Sequence, residues 1–267
     1  MLKILGTLLR FTPIFPGKNR IARFFLYFFK NKSDLIIHTK NGKYYVPNII
    51  EAIGFELFVN GCYEDGLIDL IIKETPVNGI FIDIDANIGT ISIPVALKRP
   101  DIRIVSFEAS KNLFQILNEN IRLNNIENII IENYGVFDKD GEILKFQNDL
   151  TFFGKGKVSS NSDVDLNQIT SVESITLDSY FLESINGVLK IDVEGAELNV
   201  LKGFQKHLKT SELIVIYEDW EDTFSNDMEN SIETSKYLKN LGFDLSYLDN
   251  NFKPTNYKSA NKIARKK

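Results

Sequence analysis

The stretch Ile80-Phe81-Ile82-Asp83-Ile84-Asp85-Ala86-Asn87-Ile88-Gly89-Thr90 decides the fold class. A run of β-formers ends in acidic, small and glycine residues, and a second strand pattern, Arg103–Phe107, ends in Glu108. Asp83 and Glu108 lie 25 positions apart, the length of a strand–loop–helix–strand unit. Open α/β sheets bind nucleotide-like ligands at such strand ends, where a small residue lets the ligand approach the backbone and an acid holds ribose hydroxyls. The stretch carries neither Gly-x-Gly-x-x-Gly nor Gly-x-x-x-x-Gly-Lys-Ser/Thr. Without a glycine cradle, a nucleoside lacking phosphate is a better candidate ligand than a pyrophosphate such as NAD.

Outward from this stretch, strands and helices alternate. Helix Lys111–Leu123 leads to strand Asn128–Glu132, and Asp140-Gly141 turns into an extra strand at Glu142–Phe146. Residues 147–170 are polar and predict a surface loop. Strand Gly187–Asp192 precedes helix Ala196–Leu208, then strand Glu212–Tyr217, helix Ser231–Leu241 and strand Asp244–Leu248. The alternation predicts a largely parallel sheet with helices on both faces. Before it, Leu35–Val46 reads as a hairpin turning at Asn41-Gly42. The chain divides into an extension over 1–60, a main domain over 61–251 and a basic tail over 252–267.

The 267 residues suffice for one large α/β domain, and 43% hydrophobic with 25% charged residues is an ordinary globular composition. One cysteine, Cys62, excludes an intramolecular disulfide and fits a reducing, cytoplasmic compartment. With only His38 and His207 beside that one cysteine, the sequence argues against a zinc site of the usual Cys/His kind. Residues 1–30 carry six basic side chains and no acid, and so do residues 252–267. A net charge of −5 therefore leaves −17 on the remainder, which disfavours a nucleic-acid substrate. No run approaches the roughly 20 apolar residues of a membrane span, and Ile4–Leu9 lacks a cleavage pattern of a secretory signal. Segment Arg20–Phe29 is aromatic and basic. It reads first as a helix packed on the main domain, with its aromatics in the core and its bases solvated. The second reading is an amphipathic helix in peripheral contact with anionic lipid.

Three clusters carry candidate chemistry. Glu108 can accept both hydrogen bonds of a ribose diol, or favour the positive end of a helix capped by Ser110; the two roles are compatible. In Lys190-Ile191-Asp192-Val193-Glu194-Gly195-Ala196-Glu197, alternation puts Lys190 and Asp192 on one strand face. Buried opposite charges are expensive unless paired, so Lys190 either orders the strand end or orients Asp192 at a cleft mouth. Asp192, Glu194 and Glu197 could hold a divalent cation, but Glu197 turns into the following helix, and no metal is expected. His207, inside a helix, reads as a solvated residue near its end.

Together these segments resemble the FkbM family of S-adenosylmethionine-dependent methyltransferases. The resemblance rests on Gly61–Glu64, Phe81–Gly89, Ser106–Ser110, Asp138–Gly141, Ile175–Asp178 and Leu189–Glu197, in order over roughly residues 60–220. It implies a Rossmann-like class I methyltransferase fold with S-adenosylmethionine as cofactor. Asp83 and Ala86, Asn87 and Gly89 would hold the methionine part, Glu64 its amino end, and Glu108 the ribose. The turn Val136–Asp138 would flank the adenine. Asp85 stands where the family usually has glycine, and so either crowds the ligand or reaches its positive charges. Asp192, then Glu194, are the candidate bases for a hydroxyl acceptor on a sugar, glycan or small metabolite. A nucleotide-dependent oxidoreductase lacks support, since Tyr180 is followed by Ser184 where a Tyr-x-x-x-Lys dyad needs lysine. A non-catalytic assembly subunit with a degenerate site is the remaining alternative.

Overall fold

A computed structural model describes residues 2–13, 15–29, 33–147, 157–158, 169–193, 195–218, 227–257, 259 and 261–266. In chain order the elements begin with α1 (Leu2–Phe11), α2 (Lys18–Tyr27), the hairpin β1 (Ser33–Thr39) and β2 (Gly42–Asn48), α3 (Ala52–Val59) and α4 (Asp65–Glu74). The alternating part runs β3 (Ile80–Ile84), α5 (Ser92–Lys98), β4 (Arg103–Phe107), α6 (Lys111–Leu123) and β5 (Ile129–Glu132). Then come β6 (Gly135–Val136), β7 (Ile143–Gln147), β8 (Lys157–Val158), β9 (Ile169–Ile175), α7 (Leu177–Tyr180) and β10 (Asn186–Ile191). The chain continues through α8 (Glu197–Lys202), α9 (Gln205–Thr210), β11 (Glu212–Glu218), α10 (Asp227–Asn240), β12 (Phe243–Leu248), β13 (Pro254–Thr255) and β14 (Asn261–Lys266).

The central sheet has the order β13-β12-β14-β11-β10-β3-β4-β5. Strands β11, β10, β3, β4 and β5 are mutually parallel, and β14 enters antiparallel between β11 and β12. From β3 the chain winds one way through β4 and β5, then crosses to β10 on the other side. The switch point where open sheets bind ligands therefore lies between β3 and β10. All five residues of β3 are buried, as a central strand covered on both faces requires. Deleting the Ile82 side chain to Ala there should cost about 2–5 kcal/mol.

Several expected boundaries shift for physical reasons. The hairpin turns at Lys40-Asn41, because Thr39 pairs with Gly42, which opens β2. The helix expected over Ala196–Leu208 breaks into α8 and α9 at Gly203, where an added Cβ would lie 2.0 Å from the Phe137 carbonyl oxygen. Of the basic segment 252–267, β13 and β14 are built into the sheet: Lys262 of β14 is buried and donates to Ser235 Oγ at 3.0 Å, and Arg265 pairs with Glu74 at 3.1 Å. Most of the loop expected over 147–170 lies outside the described residues; Lys157-Val158 pair with β7, and Ile169-Thr170 open β9.

Residues of the first 60 positions share a hydrophobic core with α5 and α6, joining Leu26, Ile37, Val46 and Phe58 to Ile88, Ile93, Leu113 and Leu117. Asn120 of α6 locks the contact, accepting from Tyr45 N at 2.6 Å and donating to Ile88 O at 2.9 Å. Helix α2 does pack on the body, but through Lys18, Ala22 and Leu26, spaced one turn apart. Its aromatics Phe24, Phe25, Tyr27 and Phe28 consequently face outward, contrary to the core position expected of them.

Candidate active site

Register brings the charged residues together. Lys190 of β10 sits directly opposite Asp83 of β3, and Asp83 opposite Ser106 of β4. The Lys190 ammonium lies 3.2 Å from Asp83 Oδ1 and 3.6 Å from Asp192 Oδ2, and donates to the Asp85 carbonyl at 3.3 Å. Asp83 Oδ2 accepts from Ser92 Oγ at 2.5 Å, and Ser92 and Ser106 hydroxyls are 2.7 Å apart. Burial alone would lower the Lys190 pKa, yet Asp83, Asp192, Asp85 and Glu64 together raise it, so the ammonium stays charged. Lys190 thus pairs with the buried Asp83 inside the sheet and also lies within ion-pair distance of Asp192.

The loop after β3 is held in an unusual shape. Asp85 (φ 63°), Asn87 (φ 54°) and Gly89 (φ 89°) all adopt the left-handed region, which glycine enters freely and Asp or Asn with modest strain. Ala86 N donates to Phe107 O at 3.0 Å, tying the loop to the end of β4. Asn87 N donates to Glu108 Oε2 and Ser110 N to Glu108 Oε1, each at 2.8 Å. Ser110 also caps α6 through Leu113 N at 3.4 Å, so Glu108 combines the helix-end role with its place at the strand end.

Burial, then the adjacent Asp85 carboxylate, drives the Glu108 pKa well above the carboxylate range. Burial and Asp192 push Asp85 up to about 7, and its side chain hydrogen-bonds Glu108. Burial and the mutual repulsion of the two carboxyl groups thus both favour retention of a proton on this pair.

Ile53, Tyr63, Glu64, Asp85, Ala86, Asn87, Thr90, Ile91, Lys190 and Asp192 line one cavity of about 60 Å³ at this end of the sheet. Burial and Asp192 raise Glu64 to about 7. Asp83 lies beneath the wall behind Lys190, while Gly89 shapes the loop. Asp138 is not in this cavity; its Oδ2 accepts from Asn199 of α8 at 3.0 Å. Glu194 lies outside the described residues. Glu197 turns back to accept from Gly195 N at 3.0 Å, and among the described residues no three His, Cys, Asp or Glu are grouped to hold a metal. His207 is buried rather than solvated, between Asp178 Oδ1 at 2.8 Å and Glu183 O at 3.0 Å, and stacked on Phe204.

Two residues that the sequence reading did not single out complete the site. Tyr63 forms part of the wall, and Glu218 closes β11 beside Asp192. Burial, then Asp192, lifts Glu218 to about 9, and the two side chains hydrogen-bond. Its signal was available: Glu218 ends a strand as Glu108 does.

The Methyltransferase FkbM domain family matches residues 83–245, more than half of the chain. "Methyltransferase sdnD" of Sordaria araneosa is 27% identical over 253 residues, covering 79% of this chain and 89% of that protein. "Hexuronic acid methyltransferase AglP" of Haloferax volcanii is 28% identical over 153 residues, covering 57% of this chain and 61% of that protein. Among solved structures, a methyltransferase FkbM from Methylobacillus flagellatus KT aligns with a TM-score of 0.48 at 14% identity, over 70% of this chain and 43% of that longer one. The strand order, the acids at the switch point and the family match agree: this chain is a class I methyltransferase of the FkbM family, and its methyl donor is S-adenosylmethionine.

Proposed function

We propose that the chain methylates oxygen, on a hydroxyl group of a sugar, glycan or small metabolite, with Asp192 taking the hydroxyl proton. The observation that carries this reading is the position of Asp192. Its side chain is 41% exposed, whereas its neighbours Asp83 and Glu108 are fully buried. It sits between the Lys190 ammonium, 3.6 Å away, and Glu218, whose carboxyl is pushed up to about 9 by burial and Asp192 and hydrogen-bonds it. The name of the Haloferax relative, a hexuronic acid methyltransferase, supports a sugar acceptor.

The cavity's chemistry fits the donor. S-adenosylmethionine supplies an electrophilic methyl group on a sulfonium centre and carries an ammonium group besides. Glu64, Asp85 and Asp192 offer that ligand an acidic wall at the methionine end, with the Ala86–Gly89 loop against it and Asp83 anchoring Lys190 behind. At the ribose end, Glu108 accepts from the Asn87 and Ser110 amides and makes a further hydrogen bond with the Asp85 carboxyl. A ribose diol held by Glu108 would compete with that contact, which would free Asp85 to face the ligand's positive centres. Asp138 flanks the adenine in this reading. The protein's main work is alignment of hydroxyl, methyl and sulfur, with proton removal by Asp192.

Methyl transfer from labelled donor to a panel of sugars and hydroxylated metabolites tests the proposal. Asp192→Asn should lower kcat by about 10²–10⁴, far more than any accompanying change in donor affinity; unaltered kcat would remove Asp192 as the base and leave Glu194 to be tried. The contact between Asp85 and Glu108 also favours a second reading, a non-catalytic subunit whose site is closed by its own side chain. Donor binding without turnover on any acceptor would support it, as would a gain in donor affinity in Asp85→Gly.

A further inference from the structure

We propose that helices α1 and α2 form a docking face for an anionic lipid bilayer. Both helices lie on α3: Arg10 donates to Phe58 O at 3.0 Å, Asn19 to Glu56 at 3.1 Å, and the Arg23 guanidinium stacks 4.2 Å from the Phe55 ring centre. Each turns one stripe inward and a different one outward. In α1, Leu2, Gly6 and Leu9 face the body while Ile4, Leu8 and Phe11 are exposed. In α2, Lys18, Ala22 and Leu26 face the body while Ile21, Phe24, Phe25 and Phe28 are exposed at helical spacing.

The outward side chains are large and open to solvent: Phe24 is 62%, Tyr27 79% and Phe28 67% exposed. Phe24 packs edge-on against Phe25 and Phe28, with centroids 5.8 and 5.3 Å apart, and Tyr27 against Phe28 at 5.7 Å. A contiguous exposed cluster of this kind marks an interaction surface on a water-soluble fold.

Charge selects the occupant. Residues 1–30 contain Lys3, Arg10, Lys18, Arg20, Arg23 and Lys30 and no acid, and Lys3 and Arg20 are exposed. Lys18 is buried and Arg10 is bonded to Phe58 O, so among the described residues the exposed cations of this face are Lys3, Arg20 and Arg23, which a second copy meeting face to face would set against one another. An anionic headgroup layer neutralises them, while the aromatic and aliphatic stripes enter the boundary between headgroups and acyl chains. The strongly acidic remainder of the chain is repelled by the same surface, so the charge distribution orients the molecule with α1 and α2 toward the lipid. Among the described residues no helix is long and apolar enough to cross a membrane, so the contact is peripheral. The face adjoins the active site through α3, which contacts α2 by Phe55 and lines the cavity by Ile53.

Flotation of the full chain with vesicles tests this independently of the acceptor. Wild type should float with phosphatidylcholine vesicles carrying about a third phosphatidylglycerol, bind neutral vesicles at least about tenfold more weakly, and be released by high salt. Phe24→Glu with Phe28→Glu should abolish flotation, and Arg20→Glu should reduce it by about tenfold or more. Unchanged donor affinity and melting temperature would show that these surface variants are folded. Failure of wild type to bind, or equal binding by the double variant, would overturn the proposal. So would a wild-type dimer that the double variant dissociates while neither floats, which would assign the face to a second copy.

Discussion

The two ends of the central sheet differ in a way that separates a site from a hole. At the amino end, Asn78, Gly79, Arg103, Tyr180 and Glu183 border a cavity of about 490 Å³. At the carboxyl end the cavity measures about 60 Å³ but gathers Glu64, Asp85, Asp192 and Lys190, with Asp83 and Glu108 buried behind. Arg103 and Glu183 at the larger cavity are solvated, so they cost the fold little. Burying an ionised carboxylate and an ammonium costs several kcal/mol each before their attraction is counted. Buried charge, rather than volume, therefore separates the end that carries the candidate site from the other.

The largest effect expected is at Lys190. Lys190→Ala would leave Asp83 buried without its cation and should cost about 3–5 kcal/mol in denaturant unfolding; a loss under 1 kcal/mol would make the ion pair incidental. Next, Glu108→Gln should weaken donor affinity by about 1–3 kcal/mol by calorimetry, since the amide presents fewer acceptors to the ribose. Unchanged affinity would end the ribose assignment.

A pH series sharpens the contrast further. Glu218, Glu64 and Asp85 have folded pKa values raised above their unfolded ones, to about 9, 7 and 7. Their contribution to stability is full below the unfolded values and is lost as pH rises through about 7 and then 9. Glu218→Gln should flatten the fall in stability between neutral pH and pH ~9; an unaltered slope would place that titration elsewhere. The smallest effect belongs to the amino end, where Arg103→Ala should stay within about 0.5 kcal/mol of wild type and leave donor affinity untouched.

Local pattern was sufficient wherever one element's own periodicity determines its state. Strand β4 and helix α6 run over Arg103–Phe107 and Lys111–Leu123 as the sequence predicts, because one is an apolar run and the other an amphipathic stripe with a serine cap. Helix α3 was not predicted: six of its eight residues are buried, so it is apolar almost all round and shows no stripe to read. The break at Gly203 depends on the approach of a carbonyl from Phe137, distant in sequence and invisible to helical propensity.

The candidate site divides along the same line. Strand-ending acids and the run from Lys190 to Glu197 placed Asp83, Glu108 and Asp192 at one end of a parallel sheet, because side-chain alternation and βα connectivity are local properties. Only the tertiary structure decided that Lys190 faces Asp83 across two strands, that Asp85 closes on Glu108, and that Glu218 joins Asp192. It alone turned the aromatics of α2 away from the core. Cross-strand register and helix docking are set by the packing of segments far apart in the chain, and electrostatic coupling inside a low-dielectric interior follows from that packing rather than from composition.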